Sequence, residues 1–155
     1  MRLNPASFVE RGLTLPSRGL VPASRAKPLM SNVGIHERDG SMRLANLQND
    51  GWELDDGVQL HREHPKTFWI PNVFRRHLLR PKQIVKLVFR IALRDDAGVE
   101  TEEVERMWVI IERRLGLGRY EGLLDNDPYC TKGIRAGMKV FFEARHVIQI
   151  HAADA

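Results

Sequence analysis

A run of alternating residues, 84–93, is the sequence feature that most limits the possible folds. Its odd-numbered positions are all apolar, whereas its even-numbered positions mix charged and apolar side chains. Successive side chains of a strand point to opposite faces, so this run predicts a strand with one core face and one partly solvated face. A second β-prone run, 104–111, is apolar from Met107 to Ile111 and follows the breaker residues 94–98. The two runs are close enough in the chain to predict an antiparallel hairpin.

Three more short strands are predicted downstream at 120–124, 138–142 and 146–150, because turn residues bound each of them. A short helix is predicted over 73–79, with Asn72 as its N-cap. The predicted fold class is α+β, a small, strongly bent antiparallel sheet or open barrel of about five strands with one short helix. The expected core residues are Leu87, Phe89, Ile91, Trp108, Ile110, Leu124, Val140, Phe142 and Ile148.

The N-terminal third has a different character from the rest of the chain. Residues 1–40 are rich in proline, glycine and arginine and keep no helical or strand period, so they are predicted to form a flexible arm. Two alternatives stay open: a basic arm that contacts nucleic acid or membrane, and translation from Met30 or Met42, which would make the arm non-native. Residues 41–155 are predicted to form a single β-rich domain. Within them, 52–60 reads as a short hairpin or irregular lead-in, and 67–70 is strongly β-prone.

Composition bears on the kind of partner, the redox compartment and the membrane association of the protein, but not on its specific function. The formal net charge of +4 favours acidic partners. Cys130 is the single cysteine, which excludes an internal disulfide and is compatible with a reducing cytoplasm. No apolar run approaches the ~20 residues of a membrane helix. A cytoplasmic protein without membrane contact is therefore expected.

Two residue pairs are possible chemical sites, one for metal binding and one for nucleophilic catalysis. His61 and His64 have a spacing that can bind a metal on a helix, but Pro65 disfavours helix there and a third ligand is missing. Cys130 and His146 lack an orienting third group and a glycine-rich oxyanion loop. The sequence therefore predicts no catalytic residues, no cofactor and no metal, and the protein is expected not to be an enzyme.

Charge is most uneven between residues 66 and 94. This stretch holds eight basic residues and no acid: Lys66, Arg75, Arg76, Arg80, Lys82, Lys86, Arg90 and Arg94. These residues can pair with the acids at 95–105, or they can contact single-stranded nucleic acid together with Phe68 and Trp69. An acidic protein partner is the third alternative.

A second candidate contact region is the turn that begins at Asp125. Its polar side chains can hydrogen-bond the backbone of their own turn, or they can form a rigid acidic contact loop. Taken with the basic stretch, the candidate partner-contact residues are Asp125, Asn126, Asp127, Tyr129, Arg75, Arg76, Arg80 and Lys82.

Several motifs in the second half belong together. They are a lysine-bearing strand (85–89), an acidic-x-x-Trp strand (105–109), a Gly-to-Pro turn (122–128) and a Gly-x-x-Val-x-Phe strand (137–142) that leads to Ile148. Over about residues 85–150 the chain resembles the YegJ-like bacterial domain family of unknown function. Two departures from the family pattern are visible. Met107 stands where the family usually has histidine, and the family's N-terminal helical stretch has no counterpart before Pro65 in this chain.

The resemblance implies a small α+β or barrel-like module without enzymatic activity. Some relatives look like immunity or accessory components near bacterial toxin genes. We therefore expect a non-catalytic bacterial module that binds an unidentified protein partner. The alternative is a small nucleic-acid-binding barrel that uses the basic run 66–94. The sequence does not indicate an oligomeric state.

Overall fold

The computed structural model describes residues 42–154, and one antiparallel sheet dominates this part of the chain. The strands are β1 (Trp52–Leu54), β2 (Ile84–Arg94), β3 (Glu100–Gly116), β4 (Arg119–Leu124), β5 (Lys139–Glu143) and β6 (Gln149–Ile150). The helices are α1 (Leu47–Asp50), α2 (Gly57–Glu63) and α3 (Val73–His77), with 3-10 turns at Ala144–His146 and Ala152–Asp154. The α+β class is confirmed, with three short helices instead of one. The predicted arm, residues 1–40, lies outside the described residues.

The sheet runs in the order β1-β2-β3-β4-β5 and curls into a half-barrel. The β2–β3 hairpin is confirmed, with Ile84 opposite Ile110 and Arg94 opposite Glu100. Gly98 closes its turn with a φ of +82°, a left-handed conformation that glycine adopts without strain. Strand β6 pairs with β2 on the same edge as β1, but nearer the beginning of β2. The sheet is therefore five strands wide, and β1 and β6 share one position.

The concave face of the sheet holds the core. Val85, Leu87, Phe89 and Ile91 of β2 are all buried, as the alternating pattern predicts. They pack with residues from the other strands and the loops, chiefly Met107, Val109, Ile111, Tyr120, Leu124, Val140, Phe142 and Val147. Burying one such side chain contributes roughly 1.5–3 kcal/mol. The curled sheet is therefore held mainly by this apolar contact.

The predicted core was wrong for two β3 residues. Trp108 and Ile110 lie opposite Lys86 and Ile84 in the register, on the outer face, and are only partly buried. Their neighbours Met107, Val109 and Ile111 face the core instead. Every residue from 107 to 111 is apolar, so the sequence does not reveal which alternate set is buried.

The lead-in to the sheet also departs from expectation. Residues 58–60 belong to α2, because the Asp56 side chain accepts the N–H groups of Val58 and Gln59 and caps a helix there. Residues 67–70 form no strand in spite of their β-prone composition. Of the predicted strand 146–150, only Gln149–Ile150 pairs with β2. Among residues 42–154, no helix is long and apolar enough to cross a membrane.

Candidate partner-binding surface

Helix α3 exposes large apolar side chains instead of burying them. The Asn72 cap begins the helix as predicted, accepting the Arg75 N–H at 2.9 Å. Phe74 is 75% exposed and Leu78, which follows the helix, is 57% exposed, whereas Arg76 is only 7% exposed. A surface helix normally buries its apolar stripe and exposes its charges. The pattern of α3 is reversed, and such departures from local rules are expected at functional sites.

Main-chain carbonyl groups hold Arg76 inside the protein. Its Nε donates to the carbonyl oxygen of Pro71 at 2.8 Å, and its Nη1 donates to that of Ala144 at 2.9 Å. Burial lowers the pKa of the Arg76 guanidinium, which still stays protonated because its ordinary pKa is so high. The buried Tyr120 donates its hydroxyl to the carbonyl oxygen of Arg76 at 2.9 Å. These contacts fix the orientation of α3 and leave its apolar side chains outside.

An open groove continues this apolar surface. It has a volume of about 400 Å³ and is lined by Trp69, Ile70, Pro71, Arg75, Ile148, Gln149 and Ile150. Trp69 is 78% exposed. Arg75 lies on α3 and lines the groove, so the two features are contiguous. We call Trp69, Val73, Phe74, Arg75 and Leu78 the Trp69 surface.

The basic residues near the Trp69 surface have no acidic partner. Within the described residues, none of Lys66, Arg75, Arg80 and Lys82 takes part in an ion pair. Lys82 also has a φ of +73°, and its N–H donates to the carbonyl oxygen of Ile111 at 2.7 Å. A left-handed conformation is uncommon for a residue with a side chain. Four cationic side chains in this region are thus available to an external group.

The other end of the basic run behaves differently. Arg90 bonds Asp55 at 3.0 Å and Glu102 at 3.2 Å, and Arg94 pairs with Glu100 across the hairpin. Cross-strand pairing is therefore confirmed for these two arginines. For Lys86 it was wrong, because its Nζ lies 4.2 Å from the centroid of the Trp108 ring. Among the described residues, Arg76 is held by main-chain carbonyl groups and Arg90 and Arg94 are paired with acids, whereas Lys66, Arg75, Arg80, Lys82 and Lys86 form no ion pair.

In the acidic turn that begins at Asp125, two of the candidate contact side chains accept hydrogen bonds from the main chain of neighbouring segments. Asn126 Oδ1 accepts the N–H of Trp108 at 2.9 Å, and Asp127 Oδ1 accepts that of Ala136 at 2.7 Å. Asp125 and Tyr129 are exposed, and the Tyr129 side chain is fully so. The turn is thus rigidly attached to its neighbours, and Tyr129 is its most accessible large side chain.

The two groups of candidate residues lie at opposite ends of β4. A Cβ atom at Gly118, just before β4, would lie 2.8 Å from Cδ2 of His77 at the end of α3. The acidic turn follows Leu124 at the other end of the strand. Six strand residues span roughly 20 Å. Arg75, which lines the groove, therefore belongs with the apolar surface, whereas Asp125 and Tyr129 form a separate region. Arg76 is buried and serves α3 itself.

Cys130, His146 and His61, the residues considered as possible chemical groups, each have their own separate contacts. Burial and Glu105 raise the pKa of Cys130 to about 11, so its thiol is protonated at neutral pH. His146 is buried in the core, and its Nδ1 accepts the N–H of Glu143 at 2.9 Å. The ring of His61 bonds the carbonyl oxygen of Phe68. Within residues 42–154, no three His, Cys, Asp or Glu side chains are grouped so as to hold a metal ion.

Sequence reasoning named Trp69 as a possible contact residue beside the basic run, but it missed the other apolar members of the surface, Val73, Phe74 and Leu78. The i, i+4 spacing of Phe74 and Leu78 was visible, but spacing alone does not tell whether a face is buried. Comparisons of the chain with protein-family models, with curated proteins and with solved structures gave no match. The resemblance to the YegJ-like family therefore stays a prediction.

Proposed function

We propose that this protein is a non-catalytic binding module that recognises another protein through the Trp69 surface. The observation that carries the proposal is the reversed pattern of α3, which buries Arg76 and exposes Phe74 and Leu78. Large apolar side chains clustered on a surface mark interaction sites more often than isolated ones do. Membership of the YegJ-like family, which implies no enzymatic activity, is part of the same proposal.

The composition of the surface suits a protein partner. Trp and Arg are enriched among residues that dominate interface energies, and here Trp69 and Arg75 line one groove. Covering a large apolar side chain contributes roughly 1.5–3 kcal/mol before the costs of association. Val73, Phe74 and Leu78 lie on or directly after the helix that carries Arg75, and each exposes about half or more of its side chain. Residues Tyr120 and Arg76 hold this helix in place through buried hydrogen bonds, so little ordering is required on binding.

Site-specific photo-crosslinking in the native host tests the proposal. The full chain carries benzoylphenylalanine in place of Phe74, and a matched chain carries it in place of Val99, which is also half exposed but lies in the β2–β3 turn. We expect a discrete protein adduct from position 74 that position 99 does not form. The adduct should disappear when Leu78→Ser is added to the same chain.

The captured protein is then purified and titrated with the unlabelled chain. Trp69→Ala and Leu78→Ser should each weaken binding at least tenfold, whereas Val99→Ser should change it less than twofold. Equal adducts from the two positions, or binding that ignores the Trp69 and Leu78 substitutions, contradict the proposal.

Nucleic-acid binding is the second candidate function, and the unpaired cations at 66–82 together with the exposed Trp69 favour it. Lys and Arg side chains bind phosphates, and an exposed indole can stack on a base. This alternative predicts retention on single-stranded DNA that weakens steeply with salt. It also predicts that Phe74→Ser leaves retention unchanged, because apolar side chains add little to phosphate contact. No retention near physiological salt removes this alternative.

A further inference from the structure

Strand β6 has one open edge. Among residues 42–154 it pairs only with β2, through Val85 opposite Ile150 and Lys86 opposite Gln149. The N–H of His151 donates to the carbonyl oxygen of Ile84 at 2.9 Å, so Gln149 and His151 direct their main-chain groups towards β2. Main-chain groups alternate in direction along an antiparallel strand. The N–H and C=O of Ile150 are therefore directed away from β2, towards the open edge.

The residues of β6 line the groove beside the Trp69 surface. Ile148, Gln149 and Ile150 form one wall of this groove, and Trp69, Ile70 and Pro71 form the other. Residues 69–71 form neither helix nor strand. A groove of about 400 Å³ offers space for a short stretch of extended chain. An extended peptide added to an exposed sheet edge gains main-chain hydrogen bonds.

The charge of the groove indicates which peptide fits. Arg75 is the only charged residue in the part of the groove lining that the structure describes, and none of the described lining residues is acidic. Lys66, Arg80 and Lys82 add positive charge from nearby positions in the chain, and the sequence contains no acid between Glu63 and Asp95. Because arginine can bind a carboxylate through two parallel hydrogen bonds, a carboxylate is the group that best complements Arg75.

We propose that the groove between β6 and residues 69–71 binds an extended, acidic peptide segment as an added strand. The segment pairs with the main chain of Ile150, lays an apolar side chain on Trp69 and directs a carboxylate to Arg75. This inference rests on the proposed function and names the kind of partner segment that the Trp69 surface receives.

A random heptapeptide library displayed on phage and selected against the full chain tests the inference. Enriched peptides should carry at least one Asp or Glu next to an apolar residue. Synthetic copies should lose at least tenfold in affinity when Arg75 is replaced by Glu. Arg135→Glu is the charge-matched control, because Arg135 is exposed, forms no ion pair with another described residue and lies beyond the acidic turn at the far end of β4. It should change affinity less than twofold.

N-methylation of the best peptide separates strand addition from simple surface contact. Blocking one amide at a time should weaken binding at alternate positions only, since every second amide of an added strand faces β6. Ile150→Pro, which removes the N–H on the open edge, should weaken binding to a similar degree. A selection without acidic peptides, or an N-methyl scan without alternation, overturns the inference. If crosslinking from position 74 still yields a partner in that case, the proposed function stands and only the strand-addition mode is wrong.

Discussion

Stability of this protein should depend on pH through a single buried histidine. His146 is 2% exposed, in the 3-10 turn after β5, and its Nδ1 accepts the Glu143 N–H. Burial, assisted by the neighbouring charge of Arg145, lowers the pKa of His146 to about 4. The imidazole is therefore neutral in the folded protein at pH 5–7. In the unfolded chain its pKa returns to about 6.5.

The sign and size of the effect follow from this difference in pKa. Between pH 6.5 and 4 the unfolded chain binds a proton that the folded protein does not, so stability falls as pH falls. Each unit of pKa difference corresponds to about 1.4 kcal/mol, so the complete loss is on the order of 3 kcal/mol. Lowering the pH from 7.5 to 5 should remove roughly 2 kcal/mol through His146 alone. Above pH 7 the contribution should be constant.

The measurement is urea unfolding followed by tryptophan fluorescence between pH 5 and 7.5. His146→Gln is the matched variant, because glutamine offers an acceptor to the Glu143 N–H but does not titrate in this range. The variant will be less stable at every pH, so the useful quantity is the change of unfolding free energy between pH 7.5 and 5. We expect this change to be about 2 kcal/mol larger for the natural protein. Parallel pH curves for the two proteins would falsify the assignment of His146 as the buried neutral group.

Two further outcomes test the packing and the thiol. Gly122→Ala should lower the free energy of unfolding by about 3 kcal/mol, because the added Cβ would lie 2.5 Å from the carbonyl oxygen of Ile110. Gly116→Ala should leave the free energy of unfolding nearly unchanged in the same urea titration, because nothing lies within 4 Å of its added Cβ. Equal unfolding midpoints for the two variants would contradict the close strand contact. At pH 7.5 iodoacetamide should modify folded Cys130 roughly 100-fold more slowly than the denatured chain, because its pKa is raised to about 11. Glu105→Gln should speed the reaction, and a folded rate equal to the denatured rate would refute the raised pKa.

The β2–β3 hairpin could be predicted because its information is local. Alternation over 84–93 sets both the strand and the face that meets the core, and Gly98 marks the turn. Capping side chains are equally local, which is why Asn72 indicated the start of α3 correctly. The Asp56 cap of α2 is an equally local signal, but residues 52–60 were predicted to form a short hairpin or irregular lead-in without a helix.

Long-range contacts decided which side chains near the candidate site are buried and which basic side chains are paired with acids. The side chains of 107–111 are apolar on both faces, so only pairing with Lys86 and Ile84 determines that Trp108 lies outside. Basic residues of the run 66–94 look alike in the sequence, yet Arg90 finds acids across the sheet while Arg75 does not.

The sequence by itself determined the strand periods, the turns and the start of α3, since each depends on neighbours a few residues apart. The tertiary structure alone decided which side of α3 is buried. Arg76 turns inward because its guanidinium donates to the carbonyl oxygen of Ala144 and its carbonyl oxygen accepts the Tyr120 hydroxyl. These two residues are 68 and 44 positions away in the chain. A helix with the spacing of α3 can bury either its apolar or its basic side, and only those distant hydrogen-bonding groups select between the two. That selection leaves Phe74 and Leu78 exposed beside Trp69.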